Sequence, residues 1–167
     1  MLELRIVASN DWSLWRELRL AALAEAPHAF GSTLAEWQGP GDREERWRAR
    51  LAIPDARNLV AFLDDLPVGM VSGVPGEDAA DVELISLWVR PGARGRGVGD
   101  YLIRAVERWG ADRGARTLRL SVMTDNSTAV AFYERHGFTF TDRGEPGDHL
   151  SDGGHRERIL VKSLTTG

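Results

Sequence analysis

The sequence predicts a mixed α/β fold whose sheet is mostly antiparallel with one parallel β-α-β crossover. Three observations carry this. Short runs such as Leu2–Val7 and Thr117–Met123 alternate apolar and polar residues, the period of a half-buried strand. Longer runs place apolar residues three and four apart, as an amphipathic helix requires. An apolar run (Val82 to Val89), a glycine loop, a helical run and a second alternating run follow one another. Strand, crossover helix and strand in that order form a right-handed parallel unit between Val82–Val89 and Leu118–Val122.

The elements are expected as follows. Leu2 to Val7 is a strand. Ser9, Asn10 and Asp11 are N-cap residue types before a helix from Trp12 to Glu25. Its apolar face is Trp12, Trp15, Leu18 and Ala22, and Pro27 ends it. A second helix is expected over Arg43 to Leu51, with Trp47 and Leu51 one turn apart. Asn58–Leu63 and Val68–Val74 form a hairpin through Asp64-Asp65-Leu66-Pro67. Val82 to Val89 continues that meander until Pro91. The next helix carries Val98, Leu102, Ala105, Val106 and Trp109 on one stripe, and Gly114 suits a left-handed C-terminal cap. Thr117–Met123 is a strand. A further helix starts at Asp125-Asn126-Ser127 and runs to Arg135, capped by Gly137. Phe138–Thr141 and Arg158–Leu164 close the sheet, and Asp142 to His155, rich in Gly, Asp and Pro, is expected to be a loop.

Composition narrows the function. A chain of 167 residues is most simply one domain, residues 1–167. No apolar run approaches the ~18 residues of a membrane span, and no secretory leader is expected, so a cytoplasmic address is the default. The formal charge of −4 argues against a nucleic-acid or anionic-membrane partner and mildly favours a cationic substrate. The absence of cysteine excludes disulfides, thiolate metal sites and an acyl-cysteine route. His28, His136, His149 and His155 show no metal-ligand spacing, so no metal is expected.

The chemistry concentrates at Arg94-Gly95-Arg96-Gly97-Val98-Gly99. A glycine loop entering a helix leaves backbone N–H groups free and admits a ligand close to the main chain. With the helix dipole and two arginines, the natural ligand is a phosphate or pyrophosphate. Lys162 is the sole lysine, so no Gly-Lys-Ser/Thr exists and a P-loop kinase is excluded. The dinucleotide fingerprint also fails, because Leu102 stands where its third glycine belongs.

Arg94-x-x-Gly97-x-Gly99 resembles the acyl-CoA signature of the Gcn5-related N-acetyltransferases. Leu87-Trp88-Val89-Arg90-Pro91 resembles that family's fourth strand and its exit, and Asn126-x-x-Ala129-x-x-Phe132-Tyr133-x-x-x-Gly137-Phe138 resembles its second signature. The resemblance covers roughly residues 1–164 and is strongest between 82 and 140.

It implies a fold with helices on both faces of the sheet and a bulged fourth strand that splays from the fifth. Acetyl-CoA would lie in the resulting V, along Leu87, Trp88 and Val89, with its diphosphate on the amides of Gly95, Arg96, Gly97, Val98 and Gly99. Arg94 and Arg96 would supply charge at the rim, and Asn126 and Ala129 would contact the cofactor from the next helix. Tyr133 matches the family's general acid. Glu83, eleven residues before Arg94, matches the spacing of the glutamate base in the Gcn5 acetyltransferases, with Asp81, Glu36 and Asp148 as other acids available. Phe30, Ser32 and Glu36 would wall the pocket of an amine acceptor, either a small molecule or a peptide. Asn126 also suits an N-cap, and Trp88 fits a core as well as a cover over the pantetheine. A homodimer is compatible with the resemblance. A non-catalytic acyl-CoA-sensing module and a nucleotide-dependent transferase are the competing readings.

Overall fold

The computed structural model describes residues 2–25, 35–123, 126–141, 149–150 and 156–164. Its strands are β1 (Leu2–Val7), β2 (Arg57–Leu63), β3 (Leu66–Pro75), β4 (Asp81–Val89), β5 (Thr117–Met123), β6 (Thr139–Phe140), β7 (His149–Leu150) and β8 (Arg156–Ser163). The helices are α1 (Trp12–Glu25), α2 (Glu44–Leu51), α3 (Val98–Asp112) and α4 (Ser127–Arg135). Among the described residues the strands form one sheet ordered β1-β2-β3-β4-β5-β8-β6, with β7 also pairing β8. Every pairing is antiparallel except β4 with β5.

Strand alternation distributes two cores. Leu59 and Ala61 of β2 and Val71 of β3 face Leu102, Ile103, Val106 and Trp109 of α3. Val60 and Phe62 of β2 and Met70 of β3 face Trp15, Leu18 and Ala22 of α1 and Trp47 and Leu51 of α2. Each face therefore buries a helical stripe, which is what makes a two-sided sheet stable. Gly73 of β3 lies under the Trp109 ring.

Several expectations need correction. The β2–β3 turn is Asp64-Asp65 alone, both at positive φ (51° and 70°), while Leu66 and Pro67 belong to β3. That is the two-residue hairpin geometry that matches strand twist, and aspartate tolerates it better than most residues. Two 3-10 turns, Ala35–Trp37 and Gly39–Gly41, precede α2. The segment expected to be a loop from 142 to 155 contains β7, two residues paired with Arg156 and Glu157 of β8.

The feature that shapes the site is in β4. Met70 of β3 pairs with Trp88, yet Ser72 pairs with Ile85, so β4 holds one extra residue. Ser86 adopts φ 61° at that point. A one-residue slip exchanges the two faces of a strand. Before the bulge Val82 and Leu84 pack toward α3; after it Leu87 and Val89 take that side and Trp88 joins the core under α1 and α2. Ahead of the bulge β4 also leaves β5: the parallel pairing covers only Asp81↔Thr117, Val82↔Leu118 and Glu83↔Arg119. The two strands then diverge, and the gap between them is the site.

Candidate functional site

A cavity of about 1080 Å³ opens at this divergence. Its walls come from both splayed strands (Glu83 to Val89 and Arg119 to Met123), the loop Arg94, Gly95 and Gly97, the start of α3, and Asn126, Ala129, Phe132 and Tyr133 around α4. Trp15, Arg19, Trp37, Trp47 and Arg50 complete the lining from α1, α2 and the turn that precedes α2. The volume suits an extended ligand together with a second small molecule; ordinary ligand pockets run to roughly 300–1,000 Å³.

The glycine loop shows why it can hold an anion. Gly95 and Gly97 sit at φ 81° and 82°, and a Cβ added at either would meet nothing within 4 Å. The backbone amides of Gly95, Arg96, Gly97, Val98 and Gly99 donate to no backbone carbonyl among the described residues. Consecutive free amides at the N-terminus of a 15-residue helix form an anion-binding concavity. Gly99 has a different reason for being glycine: its Cβ would lie 3.1 Å from Phe132 Cζ, so it lets α4 approach α3. A diphosphate fits the loop, and β4's unpaired edge beyond Glu83 offers a pantetheine arm backbone partners.

The two arginines of the loop behave differently. Arg94 lines the cavity, but its side chain turns back to the Val89 carbonyl (3.0 Å) and to the Glu25 carboxylate. Arg96 is exposed and lies outside the cavity lining.

Tyr133 faces the cavity from α4, its ring edge-on to Phe132 and Phe138 at centroid distances of 5.5 and 5.8 Å. Burial of the hydroxyl pushes its pKa above the ordinary tyrosine value, because the phenolate would be poorly solvated. The hydroxyl therefore keeps its proton across the neutral range. Asn126 accepts from the Ala129 amide (3.2 Å) and so caps α4 while lining the cavity. Glu83 lines the cavity beside Arg119, on the strand face opposite Val82 and Leu84.

The acceptor-side expectations are placed unevenly. Glu36 is exposed in the first 3-10 turn and outside the cavity lining, whereas its neighbour Trp37 is part of it. Asp81 stands outside the lining at the start of β4. Phe30, Ser32 and Asp148 lie outside the described residues.

Sequence reasoning missed two half-buried arginines in the cavity wall, Arg19 and Arg50. Arg50 of α2 donates to Asn58 Oδ1 (3.3 Å), Ser72 Oγ (3.1 Å) and Ser86 Oγ (3.1 Å), reaching three strands and holding the bulge. Burial, then the charge of Arg19, pulls its pKa down to about 10, and burial does the same to Arg19. Each arginine abuts an apolar helix stripe, one residue beyond Leu18 and one before Leu51. A guanidinium on the edge of a core-facing stripe is the signal that marked them. The indole N–H groups of Trp15, Trp37 and Trp88 are buried here with no hydrogen-bond partner. Among the described residues Glu25, Glu83 and Asp100 are the cavity's carboxylates; Glu25 pairs with Arg94 and Asp100 with His136.

The chain matches the acetyltransferase (GNAT) family over residues 15–138. The aminoglycoside N(6')-acetyltransferase type 1 of Salmonella typhimurium is 29% identical over 93 residues, 52% of this chain and 64% of that protein. The mycothiol acetyltransferase of Corynebacterium efficiens is 48% identical over 109 residues, 64% of this chain and 36% of that protein. The chain thus spans less than two thirds of either curated relative. Its backbone follows the PaiA N-acetyltransferase of Thermoplasma acidophilum, solved in complex with coenzyme A, with a TM-score of 0.74 at 21% identity, over 98% of this chain and 99% of that one. That likeness is one of fold.

Proposed function

This chain belongs to the acetyltransferase (GNAT) family, and from that membership we propose that it moves an acetyl group from acetyl-CoA to a primary amine by direct attack, with both substrates in the one cavity. The observation that carries the reading is the meeting of free loop amides, a splayed strand edge, a protonated tyrosine and a carboxylate around one space.

Acetyl-CoA supplies an activated thioester. The amides of Gly95 to Gly99 hold its diphosphate, with Arg94 and Arg96 at the rim. The open edge of β4 at Leu87, Trp88 and Val89 aligns the pantetheine, and Asn126 and Ala129 bound it from α4. A free β4 amide at this edge is placed to stabilise charge developing on the carbonyl oxygen.

An alkylammonium has a pKa of roughly 10 and must lose a proton before it attacks; a departing thiolate, near 8.5, leaves more easily once protonated. Glu83 takes the proton from the amine, directly or through one water. Tyr133 gives its proton to the sulfur. The hydroxyl carries its proton at neutral pH, as the donor in this step must. No covalent enzyme intermediate is needed, which suits a chain with no cysteine.

The test is calorimetry with CoA and acetyl-CoA, followed by thiol release across a panel of amines. Association with both, and release that depends on an amine, are the expected results. Absence of heat at millimolar coenzyme would overturn the reading. Tight binding with no release for any amine would reassign the chain as an acyl-CoA-sensing module.

A further inference from the structure

We propose that the acceptor is an amine that also carries a carboxylate, a free amino acid being the simplest case, and that Arg50, beside Trp15, receives that carboxylate. The inference rests on the acetyl-transfer reading and names the substrate class of the same cavity.

This wall of the cavity is rich in donors. The Nε1–H groups of Trp15, Trp37 and Trp88 are buried and unpartnered, and all three residues line this space. Trp15 is fully buried and Trp88 is 5% exposed, so solvent does not satisfy them. Unpaired buried donors are rare in native structures and point to a missing acceptor.

Arg50 points the same way. Its hydrogen-bond partners among the described residues, Asn58, Ser72 and Ser86, are all neutral. A cation withdrawn from water normally sits against an anion. Here partial burial first, and the charge of Arg19 second, pull the Arg50 pKa down to about 10. A ligand carboxylate would give the guanidinium its anion beside the Trp15 ring, whose centroid lies 5.2 Å from Arg50 Cζ.

Glu83 supplies the complementary half. It is the cavity carboxylate that no ion pair among the described residues engages. One carboxylate to receive an ammonium proton and one cationic pocket to seat an anion is the arrangement a zwitterion fits. A polycation would set a further positive charge against the Arg50 guanidinium, whose partners among the described residues are all neutral, which is repulsive.

Each of the twenty amino acids is assayed with acetyl-CoA against its primary amide, with spermidine and kanamycin as polycations, by thiol release. At least one acid is expected to exceed its amide by tenfold or more in kcat/KM, through KM. Arg50→Gln should bring that ratio near one, the ratio being taken within the variant so that any change in CoA affinity, common to acid and amide, cancels. As a readout apart from turnover, the N-acetyl derivative of the best acid should perturb tryptophan emission of the CoA complex, and its amide should not. Equal rates for acids and amides, faster turnover of either polycation, or equal emission changes would each overturn the proposal. Should Arg50→Gln not fold, the wild-type acid-to-amide ratio decides alone. Absence of CoA binding removes the acetyl-transfer reading as well; CoA binding with equal acid and amide removes this inference alone.

Discussion

Arg16 of α1 grips both oxygens of Asp42, Nε at 2.7 Å and Nη2 at 2.6 Å, while the Trp47 indole donates to Oδ1 at 2.8 Å. One carboxylate thus ties the two helices that cover the acceptor end. The arginine hydrogen bond first, and the indole second, pull the Asp42 pKa down to about 2. A lowered carboxylate pKa stabilises the fold above its ordinary value, and that contribution is lost as pH falls through the folded value. Asp42→Asn should lower Tm by about 2–4 °C at neutral pH, with the difference vanishing toward pH 2. Thermal melts from pH 2 to 7 check it; a gap that does not narrow in acid would remove the carboxylate's role.

Gly73 leaves no room for a methyl group. A Cβ there would sit 2.5 Å from Trp109 Cζ3 and 2.6 Å from Cε3. Since Trp109 is held in the α3 core, Gly73→Ala should destabilise by ~1–3 kcal/mol. Urea unfolding measures this, and a loss below about 0.5 kcal/mol would mean the indole moves freely aside.

Gly97 presents the opposite case. Nothing obstructs a Cβ, but φ of 82° disfavours one. Gly97→Ala should cost about 1 kcal/mol of stability and weaken CoA by roughly tenfold as the loop amides shift. Calorimetry with CoA on the folded variant reads it; unchanged affinity would place the diphosphate elsewhere.

Tyr133→Phe should cut kcat by ~10²–10⁴-fold and leave CoA affinity nearly intact. Because burial raises the hydroxyl pKa, wild-type turnover should not decline through tyrosine ionisation as pH rises to 10. Single-turnover rates against pH test both; an unchanged kcat in the variant excludes Tyr133 as the acid.

Glu83→Gln should reduce the rate by ~10²-fold at pH 6, with the defect shrinking as pH nears the amine's own pKa. A defect that stays constant with pH would make Glu83 a positioning group.

Long periodic elements were legible in the sequence for a physical reason: one pattern spans many residues. The apolar stripe sets α1 at Trp12–Glu25, and alternation sets β5 at Thr117–Met123, with the bounds the structure shows. The glycine loop and the α4 signature were legible because cap chemistry and spacing are local, and they bring Gly95, Gly97, Asn126 and Tyr133 to one cavity. A bulge in β4 was implied by the resemblance, but its place at Ser86 was not legible, since an extra residue exists only relative to the register of β3. Strand β7 is too short for any period. Glu36 and Trp37 are neighbours of which only the tryptophan lines the cavity, a choice made by the turn geometry. Arg50 escaped notice because its meaning lies in Asn58, Ser72 and Ser86, three strands that sequence distance does not bring together.

The place of β8 between β5 and β6 has a bearing on biosynthesis. Ser163 to Glu157 cover β5 from Thr117 to Met123 along its whole length. On a ribosome β5 emerges well before β8 does, so this edge of β5 stays unsatisfied until β8 has been made. That interval exposes a bare strand edge to other nascent chains, and it ends only when β8 docks beside β5.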